Sequence, residues 1–192
     1  MDRAERSIVD VFDRGWARFL RRLDGLGDEE YFWEPVDGAW SVRQSPDGRW
    51  AIDGAGGFPS GDGTPPDPMP FTTIAWRIGH LGLTFIGFGD RLFFDGSVAL
   101  DEVAVPPSAA ASARYLEYTY QDYWREKLEE FEDERWALPV GPVFGPYAEH
   151  SGTDLVLHVL DEFIRQSAEI GVLRDLYRHR KQLGKGGEGS PA

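Results

Sequence analysis

The sequence predicts an all-α fold, a four-helix bundle, on three observations. Four segments carry apolar residues at steps of three and four, the spacing of a buried helical face. No segment shows convincing strand alternation. The chain has 192 residues, 41% hydrophobic and 14% aromatic, with seven Trp, which is enough to bury a substantial core within one domain. Four helices of comparable length around aromatic cores suit a bundle better than a sheet.

The first helix is expected from about residue 3 to residue 23, with Ile8, Phe12, Trp16, Phe19, Leu20 and Leu23 facing inward. Arg6, Asp10, Arg14, Arg18 and Arg22 are left for water, and Gly25-Leu26-Gly27 closes the helix. Residues 44–70 follow with six Gly and six Pro in 27 positions. Such a stretch reads as a long irregular loop between helices one and two, anchored by Trp50 and Phe58 over the end of the bundle that carries His80. The second helix is expected over 72–88, capped by Thr72 or Thr73, with Ile74, Ile78, Leu81 and Phe85 inside. The third runs over 108–132 with Leu116, Tyr120, Tyr123, Leu128 and Phe131 as its inner stripe. The fourth starts at a cap, Thr153 or Asp154, and reaches about residue 180, with Leu155, Val159, Phe163, Ile170, Leu173 and Tyr177 inside. Residues 1–180 therefore read as one domain. The Gly-rich, polar stretch 181–192 reads as a disordered tail.

Composition narrows the function. Twenty Lys and Arg against 33 Asp and Glu give a net charge of −13. So acidic a chain lacks the surface that neutralises phosphates, so no nucleic-acid partner is expected. No apolar run approaches a membrane span, and the N-terminal residues show no apolar signal region, so the expected setting is cytoplasmic, with no membrane partner. The absence of Cys excludes disulfides, thiolate ligands and a cysteine nucleophile. Phosphate-binding loops, the GxSxG elbow and HExxH are missing as well. A small-molecule ligand and a homodimer are both compatible with this composition.

The residues left to carry chemistry are imidazoles and carboxylates on two helices. His80 lies in an otherwise apolar segment beside Gly79 and Gly82, each of which costs a helix about 1 kcal/mol against Ala. That cost points to close packing, or to room beside the imidazole. His158, Glu162 and Gln166 form one ridge at i, i+4, i+8, with Glu169 one residue off phase. On residue types alone the preferred reading is a hydrogen-bonded core pair of His80 and Glu162, or a helix-surface pair of His158 and Glu162. Trp33, Trp40 and Trp76 read as loop-pinning aromatics and secondarily as pocket walls. Arg174, Arg178, Arg180 and Lys181 read as a complement to the negative end of the last helix.

Four stretches carry a family resemblance: 28–36 (DEEYFWEPV), 38–43 (GAWSVR), 72–81 (TTIAWRIGHL) and 157–164 (LHVLDEFI), the last continued by Ala168-Glu169-Ile170 and 173–177 (LRDLY). In order and over nearly the whole chain they resemble the DinB-like four-helix-bundle superfamily, whose members include mycothiol-dependent maleylpyruvate isomerase, and within it an actinobacterial branch. The resemblance implies a divalent metal, zinc or nickel, held by a His of the second helix and an H/E-x3-H pair of the fourth. These positions fall on His80, Glu162 and Gln166. Where the branch often has I-H-H-G-A-E, this chain reads Ile164-Arg165-Gln166-Ser167-Ala168-Glu169. A neutral amide oxygen is a poor ligand for zinc or nickel. The expectation is therefore a degenerate site, with metal weakly held or absent, that Gln166→His would repair. Two functions follow from the resemblance. One is a metal-dependent transferase or isomerase using a low-molecular-weight thiol; the other is a metal-free bundle that binds a small ligand or a partner without catalysis.

Overall fold

A computed structural model describes residues 1–54 and 66–183. Helix α1 (Arg3–Leu23) opens on a capping box in which Asp2 and Glu5 each accept the other's backbone N–H. Phe12, Trp16 and Phe19 are buried, whereas Leu20 turns outward and Val9 takes an inner position. One turn, α2 (Asp28–Tyr31), brings Glu30 and Tyr31 into the interior.

The expected irregular loop from residue 44 is partly wrong. An antiparallel hairpin stands there, β1 (Val42–Gln44) paired with β2 (Trp50–Ile52), with Val42 opposite Ile52 and Gln44 opposite Trp50. Its turn is built by Ser45-Pro46-Asp47-Gly48. The Gly48 N–H donates to the Ser45 carbonyl, and Gly48 has φ +85°, which glycine adopts without strain. Trp50 is partly buried against the core. Phe58 and the tail beyond residue 183 lie outside the described residues, while Lys181 to Leu183 continue the last helix instead of beginning a tail.

Helix α3 (Ile74–Phe93) is capped by Thr73, whose hydroxyl accepts the Trp76 N–H. All four of its expected core residues are buried. Helix α4 (Ala109–Tyr120), capped by Ser108, passes through a wide π-turn at Gln121–Arg125 into α5 (Glu126–Glu130). The extra residue in that turn carries Trp124 into the core and leaves Tyr123 half-buried, correcting the expected stripe. Helix α6 (Asp133–Ala137) is short. Helix α7 (Gly152–Leu183) begins one residue after Ser151, which exchanges hydrogen bonds with Asp154, so Ser151 is the cap.

Helix α3 is central, packing on α7 and α4, while α7 packs on α1. The bundle closes where Trp16 of α1 stacks on Tyr120 of α4 at 4.0 Å, around Phe85 and Phe163. Arg174 is not a surface complement to the helix end. It is buried, with Nε 2.7 Å and Nη2 3.0 Å from the two oxygens of Glu30, and Nη1 donating to the carbonyls of Arg22 and Asp24. One guanidinium thus ties the last helix to the end of the first. Among the described residues, no helix is long and apolar enough to cross a membrane.

Candidate functional site

The hairpin is strapped to the N-terminal half of α3, which sets the surroundings of His80. Trp40 joins Phe71 and Thr73 through backbone hydrogen bonds, and the Trp76 indole donates to the Asp53 carbonyl at 2.9 Å. A Cβ at Gly79 would come within 2.7 Å of Ile52, and one at Gly82 would meet the Tyr115 ring at 2.1 Å. These glycines serve close packing of β2 and α4 and open no room beside the imidazole.

His80, Glu162 and Gln166 stand together. His80 Nε2 is 3.7 Å from Glu162 Oε2, and the Gln166 amide donates to the same oxygen at 3.4 Å. Two arginines join them. Arg165 pairs with the other Glu162 oxygen. Arg77 donates through Nη1 to Gln166 Oε1 at 3.1 Å, forms an ion pair with Glu169, and donates through Nε to Thr72 at 2.6 Å. The Gln166 amide can point only one way, because a guanidinium only donates and a carboxylate only accepts. Burial, then Arg77 and Arg165, push the His80 imidazole down to about 4, so the ring is neutral at pH 7. His158 stands apart, packed on Phe88 and Tyr147.

On its other side His80 faces a cavity of about 470 Å³, within the usual range for small-molecule sites. His80, Leu83, Thr84, Gly87, Phe88 and Arg91 form its floor along one face of α3. Trp40 and Trp76 wall one end, and His80 stacks on Trp76 at 4.8 Å and 11°. Ile52, Leu100 and Asp101 close the side.

A family model described as the DinB superfamily matches residues 11–45 and 57–165. The chain belongs to the DinB superfamily. No curated protein and no solved structure matches it. The matched stretches take in His80 and Glu162 and stop one residue before Gln166.

For a DinB protein the resemblance puts a divalent metal among His80, Glu162 and position 166, and the side chains present do not fit one. Glu162 is held by Arg165 and Gln166, and the Gln166 oxygen is turned to Arg77. Two guanidiniums already balance the two carboxylates, Glu162 and Glu169. Among the described residues, no group of three His, Asp or Glu side chains could hold a metal ion. Sequence reasoning missed Arg77. The available signal was its i, i+3 spacing to His80 on an otherwise apolar helix.

Proposed function

We propose that this DinB-superfamily protein works without a metal and binds a small, largely apolar molecule in the cavity beside His80. The cavity carries the reading: aromatic and aliphatic walls for a flat apolar body, and a neutral imidazole on one wall for a single polar group. A neutral imidazole offers one donor and one acceptor, so it can pair with a hydroxyl or carbonyl without charge.

Phenol and toluene, which differ by the hydroxyl, serve as calorimetric probes. The natural protein is expected to bind both, phenol more tightly. His80→Leu should weaken phenol about fivefold, the worth of one hydrogen bond near 1 kcal/mol, and leave toluene unchanged. Leu83→Trp, which fills the cavity, should abolish both. Binding of neither probe, or an unaltered response in Leu83→Trp, would overturn the reading.

A further inference from the structure

We infer that Arg77 supplies the positive charge that the carboxylates and amide of this site would otherwise need from a cation, and that Arg77, more than Gln166, keeps a divalent ion out. This deepens the metal-free part of the proposal above and rests on it.

Glu162 and Glu169 bring two negative charges to a half-buried face between α3 and α7. Arg165 answers Glu162, and Arg77 answers Glu169 while bonding Gln166. The site is neutral as it stands. A dication added to it would bring two uncompensated charges close to Arg77 and Arg165, where water screens poorly. Gln166 fits this arrangement because it accepts from Arg77 and donates to Glu162, as neither Glu nor Lys could. Arg77 is also well placed to stay. Its Nε is fixed by Thr72 just before α3, and its guanidinium lies 5.4 Å from the Trp76 ring.

Position 166 alone is therefore an incomplete repair. Gln166→His adds an imidazole but leaves the guanidinium against it. Removing Arg77 as well frees Glu169 and leaves a deficit of positive charge beside His80, Glu162 and the new imidazole.

Titration calorimetry with zinc alone tests this on four proteins: the natural chain, Q166H, R77M/Q166H and R77K/Q166H. The natural chain and Q166H are expected to show weak binding or none. R77M/Q166H should bind at least tenfold more tightly than Q166H, and its Tm should rise with zinc. R77K/Q166H, which keeps the charge, should behave like Q166H. If R77M/Q166H lacks native circular dichroism, R77Q/Q166H replaces it, since Gln can still bond Glu169. Q166H binding as tightly as the double variant would overturn the role of Arg77, as would a folded double variant that binds no better than Q166H. Stoichiometric zinc in the natural chain would overturn the metal-free proposal itself.

Discussion

His80 gives the most direct pH dependence. Its folded value near 4 lies below the ordinary 6.5, so the unfolded chain takes up the proton first. The stability this ring contributes is full above pH 6.5 and is lost as pH falls through about 4. With 35% of the side chain exposed, solvent screening keeps the loss below what the whole shift would give. Proton NMR should show His80 titrating near 4, and urea denaturation from pH 7 to pH 4 should fall less steeply in His80→Gln. A His80 midpoint near 6.5 would contradict this picture. The sequence marks His80, Glu162 and Gln166, because an imidazole in an apolar helix and a polar ridge on a core helix both stand out. Arg77 is marked only by its i, i+3 spacing to His80, and the inward role of Arg174 is not marked at all. Arginine is ordinarily a surface residue, and its burial depends on acceptors more than 80 positions away in the chain.

Helix starts follow from caps and apolar spacing: α1 lies where those signals put it, whereas α3 starts at its Thr73 cap but runs to Phe93, five residues past its expected end. Two departures have local causes. Strands of three residues are too short to show alternation, although Ser45-Pro46-Asp47-Gly48 is a turn sequence in its own right. The π-turn at Gln121–Arg125 inserts one residue, so an inner stripe counted at regular spacing lands on Tyr123 instead of Trp124. That turn also explains Gly89. A Cβ there would meet the Tyr123 carbonyl oxygen at 2.3 Å, a backbone atom that cannot step aside. Gly89→Ala should therefore destabilise by about 1–3 kcal/mol despite its better helix propensity. At Gly171 the nearest atom is Arg22 Nε at 3.4 Å, the end of a flexible side chain. Gly171→Ala should stabilise by up to about 1 kcal/mol. Urea denaturation of the two variants checks both signs.

A net charge of −13 spread over one bundle makes the folded state repel itself. Raising NaCl from 10 to 200 mM shortens the screening length roughly fourfold and should raise Tm; a falling Tm would mean that ion pairs such as Arg125–Asp13 outweigh the repulsion. The bundle as a class is legible from four apolar stripes, because each stripe needs a partner. Which stripes become neighbours is not, since that depends on side chains meeting across the chain's full length. The pairing of α1 with α7 has a consequence for synthesis. Phe12, Trp16 and Phe19 are covered by Phe163, and the end of α1 is locked by Arg174. At roughly 5–20 residues per second, a ribosome needs about seven to thirty seconds to travel from the aromatic stripe of α1 to Phe163 of α7. Through that interval the stripe gains only partial cover, from Tyr120 and Trp124 once they emerge, and still presents the kind of surface that chaperones bind until α7 completes the cover.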